Sequence, residues 1–548
     1  AHEGGGNMDK ALVRKWLQEV LNNSADKIFH NSMYDVCWLR SEGYTIKGRI
    51  IDTMIGAAIV DENQLRYDLN SCSRRYLGQS KDEAALYDAA KSWGVDAKAE
   101  MYKLPAMYVG SYAEKDAELT YKLWQELKKE IEHQDIHDVW KLETDLFPCL
   151  VDMRFLGVRV NQEQAAIEKK TLVEQEKKLL HEVKQKTNVE VQIWAARSIS
   201  QVFDKLKLPY DRTAKTQAPS FTKNFLMHHP HPVVKLIAQA REINKAHTTF
   251  IDTILKYTHK GRIHAEINQL RGDSGGTVTG RFSYRNPNLQ QIPARNKNLG
   301  PRIRSLFIPE EGHTWGCFDY SQQEPRLVVH YAALQNLYGV GDVLDAYHEG
   351  DADFHTIVAD MAEIPRSQAK TINLGLFYGM GKNKLQAELG VSKEKADELF
   401  KKYHAKVPFV KHLMDNVMQR AQNSGKIRTL LGRLCRFPLW EPNSFGIHKA
   451  LPHDQALLEH GPGIKRAFTY KALNKLIQGS AADMTKKAML ELYKAGITPH
   501  IQVHDELDIS VESDKQARQI IEIMESAVGL EVPNKVDYES GTNWGDIK

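Results

Sequence analysis

"IQVHDELDIS", residues 501–510, alternates apolar Ile501, Val503, Leu507 and Ile509 with more polar neighbours, the pattern of a half-buried β-strand. Asp505 and Glu506 stand side by side in its middle, where strand formers are expected and acids are depleted. Solvated turn residues account for such a pair as well as a functional site does. Successive strand residues point to opposite faces, so these two acids do not readily chelate one ion together. If Asp505 binds a metal, its partner must come from another element, and Glu506 is expected to face elsewhere. Asp319, in "WGCFDYSQQEPRL", also ends an apolar strand just before a helix-like segment. Mg²⁺ suits two such strand ends, because it takes one or two carboxylates plus substrate phosphates. Two metals about 4 Å apart serve both oxygens of a phosphoryl transfer.

The 548 residues make roughly three or four domains at about 150 residues each. Composition is that of a globular protein, 42% hydrophobic and 26% charged. Cys37, Cys72, Cys149, Cys317 and Cys435 are odd in number and scattered, without a CxxC pair. That excludes a disulfide framework and a zinc-finger pattern and points to a reducing compartment, the cytoplasm. No run of about 18 apolar residues is present, so no membrane partner is expected. Net charge is only +4, so any nucleic-acid surface must be built locally, along one groove.

"GRIIDTMIGAAIV" (48–60) reads as a strand, with helices in "LRYDLNSCSRRYLGQ" and "AEKDAELTYKLWQELKKEIEH". Gly157 closes a helix before "VRV", and 162–188 forms a long Lys-rich helix. Residues 274–296 are loop-rich, about 325–490 reads as a helical block, and 497–530 closes with a hairpin and helix. In "RSQAKTINLGLFYGMG" (366–381), Arg366, Lys370, Leu374 and Tyr378 recur at four-residue steps and share one broad helix face. Two cations one turn apart, then a ring, suit a nucleotide's phosphates and base. A solvated helix also carries such spacing, although the apolar run after Lys370 speaks against an ordinary exposed face.

Taken together, these segments resemble the A-family (DNA polymerase I-like) DNA polymerases, of a bacteriophage type. "DYSQQEPR" resembles the family's motif A, "RSQAKTINLGLFYG" its motif B, and "VHDE" its motif C. "TGRFSYRNPNLQQIPAR", "NKLIQGSAAD" and the closing "NWGDIK" match further family blocks in the family's order, across about 141–548. The resemblance implies an α/β multi-domain chain with a right-hand fold of palm, fingers and thumb. Its polymerase domain would span 134–548, with thumb at about 160–262, palm at about 263–345 and 480–548, and fingers at about 346–479. The implied activity is two-metal nucleotidyl transfer from dNTPs to a primer 3′-hydroxyl, with release of pyrophosphate, in phage DNA replication.

The resemblance further implies that Asp319, Asp505 and the carbonyl of Tyr320 hold two Mg²⁺ ions, for which Mn²⁺ can substitute, with Glu506 a secondary acid nearby. Arg366 and Lys370 would grip the triphosphate, with Gln322, Leu374 and Tyr378 around the nucleotide. Glu324 would pack on Tyr378 as a steric gate against a ribose 2′-hydroxyl. Arg281, Asn474, Gln478, His504 and Arg295 would touch primer-template DNA, where minor-groove acceptors check pair geometry without reading sequence. A structural hydrogen-bonder at Gln478 and an exposed turn residue at His504 are the lesser readings. Arg295, Lys297, Arg302 and Arg304 would serve as phosphate contacts, with a solvated basic face an equally good account of any one of them. Replication proteins, a helicase or a processivity factor among them, are further candidate partners.

Residues 1–133 resemble an RNase H-like 3′-5′ exonuclease domain that is partial. "HNSMYDVCWL" supplies Asn31 and Asp35 of its second motif, and "YAEKDAELT" supplies Tyr112 and Asp116 of its third. The family's Asp-x-Glu does not occur in residues 1–30, so proofreading is expected to be absent or crippled. Two readings compete with a polymerase: a catalytically retired nucleic-acid-binding module, and a 3′-5′ exonuclease completed by an upstream segment.

Leu374 stands where the family usually has Phe or Tyr, near the 3′ position of the incoming sugar. Strong discrimination against 3′-deoxynucleotides is therefore expected, and Leu374→Tyr should relax it. Equal dideoxynucleotide incorporation by the two proteins would contradict this.

Overall fold

The computed structural model describes residues 8–547 apart from 274, 295, 351, 378–381, 445 and 447, and the side chains at 382 and 385. In the first unit, β1 (Lys27–Phe29) pairs in parallel with β2 (Ile50–Asp52). The apolar run 48–60 is a strand only as far as Asp52. There the Asp52 carboxylate accepts the Met54 backbone N–H and starts a helix over Thr53–Val60. An apolar run without clear period fits either element, and the cap decides. Helix α1 (Ala106–His133) lays Leu119, Leu123 and Leu127 on this unit's core, and α2 (His137–Leu156) leads out of it. Gly157 ends α2 at φ +61°, where a Cβ would stand 2.7 Å from the Ile263 carbonyl oxygen, so only glycine fits.

Helix α3 (Gln162–Thr187) packs against the helix Pro232–Lys245 and ends in a satellite core around Phe203, Val234 and Ile237. The central sheet then assembles from distant segments. Strand β3 (Thr314–Tyr320) lies between β5 (Glu506–Val511) and β6 (Val536–Gly541), and β4 (Ile501–Val503) pairs with β5 at the edge, all antiparallel. On one face Phe318 stacks on Tyr538 with centroids 4.7 Å apart, and the Tyr320 hydroxyl donates to the Met524 carbonyl of the covering helix Asp514–Ser526. Gly316 leaves room for this packing; a Cβ there would lie 2.5 Å from Val511.

After β3 come α4 (Gln323–Leu334), α5 (Arg366–Phe377) and α6 (Ala472–Lys494). The stretch 325–490 is not wholly helical. It includes short strands at Lys426–Arg428 and Leu434–Arg436, and a three-stranded sheet built from Leu439–Pro442, Leu451–Pro452 and Ile464–Arg466.

A buried ionic cluster fastens these parts together. Glu143 of α2 is fully buried, and its two oxygens lie 2.7 and 3.0 Å from Lys486 Nζ of α6. Arg433 bridges Glu143 Oε1 (2.5 Å) and Asp483 Oδ1 (2.9 Å), while Gln269 donates to Glu143 Oε2 at 2.7 Å. Two acids and two bases close their charges within one dry site. Removing one member of such a group strands the others, at a cost of about 3–5 kcal/mol. Glu143→Ala should accordingly lower the melting temperature far more than Glu126→Ala on the solvent side of α1; matching shifts would show that the cluster contributes little.

Candidate active site

Strand β3 ends at Tyr320, and the β4–β5 hairpin turns at His504 and Asp505, with His504 at φ +59°. The Tyr320 backbone N–H donates to the Asp505 carbonyl at 3.2 Å, fixing the two strand ends side by side. In register, Asp319 stands opposite Glu506 on one flank and Asp537 on the other. Directly opposed residues share a face. Glu506 therefore lies beside Asp319 and does not face elsewhere, which corrects the reading from sequence. The turn at 504–505 interrupts the strand, so its alternation does not run through the two acids.

The consequences are electrostatic. Asp319 Oδ1 is buried and has no hydrogen-bond partner among the described residues. Its carboxyl is pushed up to about 8, first by burial and then by the charges of Asp505, Glu506 and Asp537. Asp505 is pushed up to about 6 by burial, with Glu324 and Glu506 adding to it and Arg281 opposing. An unpartnered carboxylate among like charges, with hard oxygen donors only, fits a divalent cation such as Mg²⁺.

Around this pair, Arg281 Nη2 lies 2.6 Å from Glu324 Oε1, tying the loop ahead of strand Ser283–Arg285 to the first turn of α4. Gln322 holds φ +52° at the start of α4, and its amide is engaged with the backbone of Ala352 and Phe354 (3.1 and 2.8 Å). Exposed His504 lines a narrow cleft with Arg281, Gln290 and Gln502. Buried Gln502 was not singled out from sequence, yet its side chain donates to the His504 carbonyl at 2.5 Å and supports the turn. Asn474 and Gln478 lie half-buried, one turn apart on α6.

On α5, Arg366 and Lys370 are exposed and Leu374 is half-buried; Arg366 Nε rests 2.5 Å from Asp353. Tyr378 and Arg295 lie outside the described residues. Arg302 pairs with Glu168 of α3, and Arg304 sits 4.3 Å over the Trp544 ring, so these two are engaged within the protein and do not form a solvated basic face.

In the first unit, the Asn31 backbone N–H donates to Asp52 Oδ1 at 3.0 Å, and Asp35 is pushed up to about 6 by burial and then by Asp52. Tyr112 and Asp116 lie on α1, where Lys81 Nζ sits 2.7 Å from Asp116 Oδ1 and 3.5 Å from the Tyr112 hydroxyl. Among the described residues no helix is long and apolar enough to cross a membrane.

Residues 162–546 match the family described as DNA polymerase family A. The chain belongs to that family. Residues 7–132 of the polymerase match the 3′-5′ exonuclease family. It is 33% identical to a DNA-directed DNA polymerase of Pseudomonas phage M6, over 99% of this chain and 87% of that one. A DNA polymerase DpoZ of Acinetobacter phage SH-Ab 15497 is 31% identical over 96% and 90%. DNA polymerase I of Geobacillus stearothermophilus is 30% identical, but only 60% of its length is covered. A solved structure of the POL domain of Pol1 from M. smegmatis, in complex with DNA primer-template and dNTP, superposes with a TM-score of 0.76 and 25% identity, over 97% of this chain and 88% of that one. The protein is a phage-type, template-directed DNA polymerase carrying an exonuclease-type domain, of a family that generally depends on divalent metal ions.

The raised carboxyls make a stability prediction. Asp319 and Asp505 bind protons in the folded chain at pH values where the unfolded chain, near 3.9, does not. Their stabilising contribution is thus full below about pH 4 and is lost as pH rises through about 6 and then 8. In metal-free protein, Asp319→Asn should raise the melting temperature by about 1–2 °C at alkaline pH, and this gain should vanish as pH falls toward 4. A gain independent of pH would contradict the charge crowding.

Proposed function

We propose that Asp319 and Asp505, with the backbone carbonyl of Tyr320, hold two Mg²⁺ ions at which dNTPs are joined to a primer 3′-end. What carries this reading is the pairing of two strand ends that sets an unpartnered Asp319 oxygen beside Asp505. When bound, such ions supply activation of the hydroxyl and charge for the departing pyrophosphate. Glu506 adds negative charge without being a ligand of these two ions. Arg366 and Lys370 meet the triphosphate from α5, and closure of that helix onto a correct pair selects the nucleotide by induced fit. Glu324, held by Arg281, and Tyr378 exclude the 2′-hydroxyl, while Asn474, Gln478 and His504 meet the primer-template.

Residues from about 160 to 262 act as the thumb and about 346–479 as the fingers, with palm segments between and after them. The substrate pair of primer-template and dNTP is that of the mycobacterial complex, and the place of work is the bacterial host's cytoplasm. Proofreading by the exonuclease-type unit is absent or crippled, a reading supported by the Lys81 ammonium that answers the charge of Asp116.

A primer-extension assay with Mg²⁺ and dNTPs tests the whole reading. Wild type should extend the primer, and Asp505→Ala should lose several kcal/mol of transition-state stabilisation, about 10³-fold in rate. Extension that survives the substitution would overturn the site. Without dNTPs the primer should stay intact; progressive shortening from its 3′ end would refute the proofreading claim alone.

A further inference from the structure

The acid-rich face of the central sheet extends beyond the Asp319–Asp505 pair. Two residues back from Asp319, and on the same face, Cys317 lies opposite Asp508. One carboxylate oxygen each of Glu506 and Asp508 and the Cys317 Sγ all lie within 4.8 Å of one another. Asp508 has no exposed surface, and Cys317 has only 5%.

Two features make this more than a clustering of acids. Trp315 donates its indole N–H to Asp508 Oδ1 at 2.8 Å, fixing the carboxylate's orientation from behind. Asp508 Oδ2 and Glu506 Oε1 are then both buried and take no donor from outside the cluster among the described residues. They lie instead within hydrogen-bond reach of each other and, for Glu506, of the Cys317 thiol. Two orphan oxygens converge with a sulfur, and the indole stands where an outer-shell partner holds a metal ligand in place.

We infer that Cys317, Glu506 and Asp508 form a third cation site, distinct from the Asp319–Asp505 centre and selective for a thiophilic divalent ion such as Zn²⁺. Ligand chemistry sets the preference. Thiolate draws Zn²⁺ or Co²⁺ ahead of Mg²⁺, which keeps to oxygen. In a tetrahedral zinc site, with Zn–S about 2.3 Å and Zn–O about 2.1 Å, sulfur and oxygen stand about 3.6 Å apart. Three protein ligands leave a fourth position for water. The thiol releases its proton to solvent as the metal takes the sulfur. Because Glu506 stands opposite Asp319, an ion held here draws that carboxylate toward the sheet interior and lessens the repulsion on Asp319.

The competing occupant is a single proton shared by Asp508 and Glu506, which satisfies both oxygens without using the sulfur. Titration of the full chain with Co²⁺, in wild type and in an Asp319→Asn/Asp505→Asn background, separates the two. The expected result in both is a thiolate-to-cobalt charge-transfer band saturating at one ion per chain. Excess Zn²⁺ should displace it, excess Mg²⁺ should not, and Cys317→Ser should abolish it. Trp315→Phe should weaken Co²⁺ binding by about tenfold or more while leaving the ligands in place. Zn²⁺ should also raise the melting temperature of the double variant but not of the same variant carrying Cys317→Ser, a readout that remains if Asp508→Asn fails to fold. The site is overturned by an unchanged band in Cys317→Ser, or by absence of the band in wild type. It is equally overturned by an infrared signal of a protonated carboxyl that persists in saturating Zn²⁺ and disappears in Asp508→Asn.

Discussion

The hydrogen bond from the Tyr320 amide to the Asp505 carbonyl joins two strand ends that lie 185 residues apart in the chain. The whole acidic centre follows from that junction. It brings Asp505 alongside Asp319, and the register it belongs to sets Glu506 and Asp537 on either side. Backbone pairing, which is indifferent to side-chain charge, thereby forces together carboxylates that repel one another. The opposite face supplies the stability for this, with Phe318, Leu507 and Ile509 all buried. A crowded acidic edge is tolerable because an apolar underside anchors it.

The surrounding parts restrain the junction from several directions. Gln502 and Gln290 secure the hairpin turn, and Arg281 links the loop ahead of strand Ser283–Arg285 to Glu324. Deeper, the Glu143–Arg433–Lys486–Asp483 cluster connects α2 to α6, so the helix leaving the exonuclease-type unit is fastened to the helix bearing Asn474 and Gln478. Arg436 pairs with Glu62 at 2.5 Å, and Leu434 enters the first unit's own core, giving that unit a second attachment. The two family regions therefore share buried contacts and not merely a linker.

Much of this was legible in the residues. Asp319 and Asp505 each end an apolar run, and the order of the surrounding motifs identified the family. The helix bearing Arg366, Lys370 and Leu374 followed from their four-residue spacing. What escaped did so for physical reasons. Glu506 was assigned the wrong side because alternation holds only within a continuous strand, and His504 breaks it with a left-handed backbone. The run 48–60 reads as strand because it is largely apolar, and only the Asp52 cap distinguishes the helix within it. The buried ionic cluster left no local mark, since Glu143 and Arg433 are 290 residues apart and each looks like an ordinary surface charge. Asp508 was hidden in the same way, a polar letter at a position that alternation marks as outward, yet it is fully enclosed.

The ion pair between Arg366 and Asp353 bears on how a charged substrate arrives. A guanidinium already matched to a carboxylate is not waiting as a bare charge. On the triphosphate role proposed for Arg366, it would have to exchange one anion for another, so nucleotide entry would be a substitution and not a simple addition. Such an exchange keeps the unloaded helix from carrying an unbalanced cation, and it frees Asp353 at the moment the phosphates dock. The acid left behind then becomes a measure of whether the helix has engaged its cargo.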